Sequence, residues 1–360
     1  MKKMILSILS TLGVLAVTTM VIAAGGPPAV TSNLQKLGMH LYNDKNLSLD
    51  KNQSCRTCHH HLAGFADLKN HLNPYTSVVS TGSDGVSKGG RNAPTSAYAG
   101  FSPPLAQVGD GEYEGGLFWD GRAAGNSLSL ADPLAEQAQG PPLNPVEMAM
   151  SDKAAIVEVI KNSSYVNLWY KEFGNNSLYD EDAAYDNFAR AVAAYERSAD
   201  VTKFNSKFDL YLANKAQLTP AEARGFTLFV AHCDRCHSTV AAFDAPAPLF
   251  TNYRYSNIGV PANPLVPLDS ADLGLGAIVG DDLQNGKFKV PTLRNIAMSA
   301  PYAHNGSFPT LEEMVNFVNN SSGFTPEVIE NIDPSVGNLS LLPAEVNDII
   351  AFLHTLTDDY

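Results

Sequence analysis

All four cysteines of this 360-residue chain sit in two copies of one pattern, Cys55-Arg56-Thr57-Cys58-His59 and Cys233-Asp234-Arg235-Cys236-His237. A Cys-x-x-Cys pair followed directly by histidine is the attachment signature of c-type haem. Two thiols at this spacing can add to the two vinyl groups of a porphyrin, and the next imidazole can then ligate the iron. Other chemistry uses Cys-x-x-Cys as well: a disulfide, a thioredoxin-like motif, or a zinc site to which two knuckles supply four ligands. The histidine occurs in both copies and no cysteine is left over. That favours two covalent haems, and with them redox or peroxide chemistry.

Helices and long loops must hold these motifs. Leu34, Leu37, Leu41 and Tyr42 fall at helical spacing and lead into the first motif. Residues 151–173 read as one helix, with Ile156, Val159, Ile160 and Val166 on one side and Ser151 or Asp152 as its cap. Residues 182–199 read as another, striped by Phe188, Ala191, Val192 and Tyr195. Thr219-Pro220-Ala221-Glu222 has a capping box with proline in the first turn, so a helix should run from there into the second motif. Residues 310–318 and 343–356 read as the last helices. Residues 60–150 and 238–308 are loop-rich, and the first of these stretches is too long for a plain loop. Such chain is expected to pack around a cofactor. No internal repeat is visible beyond the haem motif. The fold class expected is mainly α: two c-type cytochrome domains with long loops wrapped around two covalent haems.

The N-terminus has a basic start, an apolar run from Ile5 to Ile22 and a small-residue exit at Ala23-Ala24, which reads as a secretory signal peptide over residues 1–24. Removing it leaves about 335 residues, enough for two domains, expected at 25–200 and 201–360 with one haem motif each. Export fits c-type haem, so the expected location is the periplasm or beyond. The formal charge of −13 argues against nucleic acid and anionic membrane as partners. It either steers a basic partner or keeps an exported protein soluble.

Several blocks resemble one family. They are Arg91-Asn92-Ala93-Pro94-Thr95, Phe118-Trp119-Asp120-Gly121-Arg122-Ala123, Gln137-Ala138-Gln139-Gly140-Pro141 and Asn144-Pro145-Val146-Glu147-Met148. In the second half come Asn257-Ile258-Gly259-Val260-Pro261, Lys289-Val290-Pro291-Thr292-Leu293-Arg294-Asn295 and Ala300-Pro301-Tyr302 with His304. In this order they resemble the bacterial dihaem cytochrome c peroxidases and their relative MauG. The resemblance implies a peroxidatic N-terminal haem with His59 as proximal ligand, and a C-terminal electron-transfer haem with His237. It implies Glu147 as acid–base, Gln137 as its companion over the haem, and Trp119 as relay between the haems. Arg294 and His304 fall in blocks that it assigns to haem binding. It also implies a calcium ion held by Asn92 with backbone groups around Ser299 and Pro301. The implied partners are hydrogen peroxide and either an exported protein substrate or a small cytochrome or copper donor, and the family is often dimeric.

Two departures stand out. Members that need activation carry a histidine ahead of the Asn-Ala-Pro-Thr block, but residues 83–87 here contain none, and His71 lies further upstream. Peroxidases place a methionine, and MauG a tyrosine, where Val318 stands, and valine cannot ligate iron; His304, Met314, Met298 and His354 are the remaining candidates. Methionine ligation would raise the haem potential. Its loss favours a MauG-like enzyme, as in the MbnH branch that oxidises a partner's tryptophan, over an ordinary cytochrome c peroxidase. Glu147 and Gln137 disfavour a third reading, a dihaem electron carrier without peroxide turnover.

Overall fold

Each Cys-x-x-Cys-His motif is preceded by a helix that crosses a second helix at a glycine. The computed structural model describes residues 32–242 and 244–359, so the expected signal peptide lies outside the described residues. Its α-helices are α1 Ser32–Asn43, α2 Cys55–Cys58, α3 Leu68–Leu72, α4 Pro133–Ala138, α5 Gly140–Leu143, α6 Lys153–Lys161, α7 Val166–Phe173, α8 Glu181–Glu196, α9 Lys207–Leu212, α10 Pro220–His232, α11 Leu275–Val279, α12 Leu311–Asn319 and α13 Pro343–His354. Short strands β1 Ala106–Val108 and β2 Glu112–Glu114 pair antiparallel, with Gln107 opposite Tyr113. Strands β3 Tyr255–Ser256 and β4 Phe288–Lys289 do the same, with Tyr255 opposite Lys289. The chain is therefore mainly helical. Among the described residues no helix is long and apolar enough to cross a membrane.

Helix α1 packs on α8, and α10 on α13. A Cβ on Gly38 would sit 1.9 Å from the Ala191 carbonyl oxygen, and one on Gly225 would sit 1.8 Å from that of Asp348. Only a residue without a side chain lets the backbones approach this closely. Around the first crossing, Leu37, Leu41 and Tyr42 bury against Phe188, Ala191 and Val192. Around the second, Phe229 buries with Val346, Ile349, Phe352 and Leu353. A smaller cluster joins Val260, Tyr302, Phe308 and Phe317, with Met314 and Val318 packed against it.

A repeat invisible in the sequence appears in the backbone. The Thr95 hydroxyl donates to the Gly64 carbonyl at 2.6 Å, and the Thr292 hydroxyl donates to the Leu249 carbonyl at the same distance. The residue after each acceptor is a phenylalanine in the left-handed region, Phe65 at φ 62° and Phe250 at φ 54°. Three residues after each threonine the chain turns left-handed again, at Tyr98 and Asn295, and a 3-10 turn follows. The same threonine and phenylalanine recur, but the bonded partners are 31 residues apart in the first half and 43 in the second, so residue-by-residue comparison of the halves misses it.

Helix α1 matches its expected span, and Thr219 caps α10 as its sequence requires, accepting from the Glu222 N–H at 3.3 Å. The single helix expected over 151–173 is two. Asn162 ends α6 by turning its amide back onto the Glu158 carbonyl at 2.8 Å, and the Ser163 hydroxyl takes the Ile160 carbonyl at 2.8 Å. These polar side chains compete with the helical ladder and break it. Asp152, rather than Ser151, is the cap, accepting from Ala155 N–H at 2.8 Å.

Candidate active site

Both motif histidines are held alike. The His59 N–H donates to the Cys55 carbonyl and the His237 N–H to the Cys233 carbonyl, each at 2.9 Å, so each imidazole leaves the end of its Cys-x-x-Cys turn. His59 Nδ1–H donates to the Phe65 carbonyl at 3.1 Å, and His237 Nδ1–H donates to the Phe250 carbonyl at 2.9 Å. The left-handed phenylalanines thus aim a carbonyl at each ring. That bond fixes the tautomer and leaves Nε2 as the lone-pair nitrogen, the form in which histidine ligates a metal. Burial holds both imidazoles below their usual pKa, against the backbone bonds that oppose it. Among the described residues no three His, Cys, Asp or Glu side chains converge into a metal-holding cluster, so the two motifs do not combine into one zinc site. Paired cysteines beside an oriented imidazole fit c-type haem.

Cys233, Cys236 and His237 open into a large, mostly apolar cavity. Trp119, Asn92, Ser299, Pro301 and His304 also line it, and so do Met314 and Val318. Trp119 is fixed between segments: its Nε1–H donates to the Asn92 carbonyl at 2.9 Å, and its own carbonyl accepts from the Lys289 N–H at 2.8 Å. Lys289 lines the same cavity, and burial pushes its ammonium down to about 7, against the nearby Asp120 charge. Its Nζ donates to the Gly116 carbonyl at 2.8 Å. The His304 ring stacks on Phe288, 3.5 Å between centroids. Its Nε2 is 3.9 Å from Glu327, beyond hydrogen-bond reach. A buried lysine and a buried imidazole in a cavity with paired cysteines offer N–H donors that suit the carboxylates of a porphyrin.

A second, smaller pocket is lined by Phe118, Arg122, Ala123, Glu136, Gly140, Asn144 and Glu147. Glu147 lies in the turn after α5, where the Asn144 amide donates to its Oε1 at 2.7 Å. Burial raises its carboxyl above the usual range, and Arg122 and then Asn144 oppose that rise. Its charge is felt by Cys55 and Cys58, which ties the pocket to the first motif. The loop at 83–87 packs beside it. The Ser83 N–H donates to the Glu147 carbonyl at 2.7 Å, and the Asp84 carboxylate closes the loop on the Val86 and Ser87 N–H groups. His71 sits apart in sequence, half-buried on α3 with its Nδ1 unpartnered. A buried carboxyl beside a fixed amide and a guanidinium can exchange a proton with a small polar ligand.

A family model described as di-haem cytochrome c peroxidase matches residues 32–217, more than half of the sequence. The chain belongs to the di-haem cytochrome c peroxidase family. It is similar to the methylamine utilization protein MauG of Paracoccus denitrificans, 37% identical over 90% of this chain and 88% of that protein. It is also similar to the cytochrome c551 peroxidase of Nitrosomonas europaea, 31% identical over 97% of this chain and 89% of that one. Among solved structures it resembles the diheme peroxidase BthA of Burkholderia thailandensis, with a TM-score of 0.79 and 28% identity over 92% of this chain and 87% of the other. This family member is therefore an enzyme, a di-haem oxidoreductase, and the family's description implies two haems.

The structure gathers Glu147 into the small pocket, and Trp119, His304, Asn92, Ser299 and Pro301 around the large cavity. Gln137 is half-buried on α4, next to Glu136, whose carboxylate lines the small pocket and accepts from Gly125 and Ser127 N–H groups. Arg294 is buried elsewhere. Its guanidinium binds Asp209 through two bonds of 2.9 and 2.8 Å, and its Nε donates to the Pro248 carbonyl. Sequence reasoning singled out neither Arg122, Asn144 nor Lys289. All three stand inside the recognised blocks, but only the folded pocket separates a residue that lines it from its neighbours.

Proposed function

We propose that this di-haem enzyme uses hydrogen peroxide at the haem held by Cys55, Cys58 and His59 and spends the oxidising equivalents on an aromatic residue of an exported partner protein. The pocket that gathers Glu147, Asn144 and Arg122, with the Glu147 charge reaching Cys55 and Cys58, carries this reading. When bound, the haem would supply iron for peroxide and the redox capacity for its two-electron reduction. Glu147 takes the proton from one peroxide oxygen and returns it to the other, and Asn144 fixes its carboxylate for both transfers. Gln137, which the family resemblance places over the haem, would hydrogen-bond the ligand without titrating, although its neighbour Glu136 rather than Gln137 lines the small pocket. In balance, one peroxide, two electrons and two protons yield two waters, the electrons coming from the partner.

The second haem belongs with Cys233, Cys236 and His237, and Trp119 is the aromatic relay between the two sites. His304 and Lys289 would hold haem carboxylates, and Arg294, bound to Asp209, would stabilise the segment that carries them. Asn92 with the backbone at Ser299 and Pro301 forms the calcium site. The haem domains divide at 200/201, a boundary supported by the repeated helix pairs. The signal peptide over 1–24 directs the enzyme to the periplasm or beyond, and a homodimer is the assembly expected of the family. Similarity to a cytochrome c551 peroxidase supports a second reading, reduction of peroxide with electrons from a small cytochrome. Val318 on the cavity wall favours the first reading, because a methionine ligand would suit the second haem to such a donor.

Replacing Glu147 with Gln keeps the shape and removes the base. The rate of peroxide reaction with the holoenzyme, followed by stopped-flow absorbance, should fall by roughly 10²–10⁴-fold. An unchanged rate would remove Glu147 from the mechanism.

A further inference from the structure

We propose that Arg122 is a positioning residue for the peroxide step: its guanidinium, held over Phe118 and tied to Asp120, shares the small pocket with Glu147 and supports the ionised state of that carboxylate. The inference rests on the reading of Glu147 as the acid–base. Phe118 lies in the left-handed region at φ 62°, and the Arg122 guanidinium carbon is 3.6 Å from the centroid of its ring. Arg122 Nη1 donates to Asp120 Oδ2 at 2.8 Å, and its own N–H reaches Asp120 Oδ1 at 3.2 Å. Asp120 is buried and cannot drift, because Arg91 donates to the same oxygen at 2.5 Å. Arg91 in turn grips Asp272 through bonds of 2.7 and 2.8 Å. The guanidinium beside Glu147 is thus the end of a braced series of four alternating charges.

The charged groups that meet Glu147 can be named. Arg122 favours its ionised form, and Glu136 lies on the same pocket with its oxygens engaged by backbone N–H groups. Cys55 and Cys58 also sense Glu147, but as thioethers they do not titrate. Asn144 donates a hydrogen bond and carries no charge. Burial drives Glu147 toward the neutral acid, and a neutral acid cannot accept the peroxide proton. Arg122 opposes burial, and it keeps the base available at lower pH than the pocket alone would allow.

The test compares holoenzymes carrying Arg122→Gln, Arg122→Lys and Glu147→Gln with the parent. Two readouts are followed across pH: the rate of peroxide reaction, and cyanide binding to the resting protein read by absorbance. Hydrogen cyanide also gives up a proton on binding, so its binding reports the base without turnover. The Arg122 side chain is 42% exposed, so solvent screens its charge. Arg122→Gln should move the acid limb of both profiles upward by roughly half a pH unit or less, while Arg122→Lys, which keeps the charge, should move it less. Coincident profiles for Arg122→Gln and the parent, or equal shifts in the Lys and Gln variants, would overturn the inference. Glu147→Gln separates the two layers. If it abolishes the acid limb while Arg122→Gln leaves it in place, only the role of Arg122 fails. If the limb survives in Glu147→Gln, the acid–base reading itself fails.

Discussion

Glu196, at the end of α8, is a second buried acid near the first motif. Burial pushes its carboxyl up to about 8, against Arg197 and Ser96 and reinforced by Asp132. Its Oε2 has no hydrogen-bond partner, while beside it the Tyr42 hydroxyl donates to the His59 carbonyl at 3.0 Å. In the unfolded chain this carboxyl ionises near 4.5, and in the folded protein only near 8. The folded state therefore binds the extra proton between these values, and stability is lost as pH rises from about 4.5 to about 8. Glu196→Gln should flatten that decline and raise stability above pH 8 by up to a few kcal/mol, seen in thermal midpoints across pH. A variant with the parent's pH slope would show that Glu196 does not titrate in this way. Nothing in the sequence marks Glu196, since one carboxylate on an alanine-rich helix looks solvated until the partner helix covers it. Glu147 was legible because it falls in a recognisable block. Arg294 was legible as part of a recognisable block, but its pairing with Asp209, 85 positions away, was not.

At the scale of elements, periodicity and caps located α1, α8, α10, α12 and α13 to within a few residues, because their apolar stripes and end signals agree. The break between α6 and α7 was hidden, since the apolar stripe continues across Asn162 and Ser163 while their side chains take up helical carbonyls. Glycines at the helix crossings were silent too. A glycine inside a helix pattern reads as a mild weakness, yet Gly38 and Gly225 are where two backbones meet. Gly225→Ala should force α10 away from α13 and destabilise the protein by about 1–3 kcal/mol or more, measured by denaturant unfolding of the holoenzyme. Unchanged stability would mean that the crossing yields easily.

In the whole molecule, two similar scaffolds present two unlike sites. Both halves use a glycine crossing, an oriented histidine and a threonine bond to the residue before a left-handed phenylalanine. They differ in what surrounds the histidine: a small pocket with Glu147, Asn144 and Arg122 near the first motif, and a large apolar cavity with Val318 on its wall at the second. The cofactor pair was legible from ten residues, because attachment chemistry demands fixed types at fixed spacing. The backbone repeat was not, because its threonine and phenylalanine recur at unequal separations in the two halves. On the proposed reading, the oxidising equivalents of peroxide pass to a partner protein rather than being quenched by electrons from a small cytochrome. Steady-state assay of the holoenzyme with hydrogen peroxide and reduced small cytochrome c, read at the cytochrome's absorbance band, tests this most directly. We expect oxidation to stop after a few turnovers per enzyme; rapid oxidation sustained until the peroxide is exhausted would contradict the account.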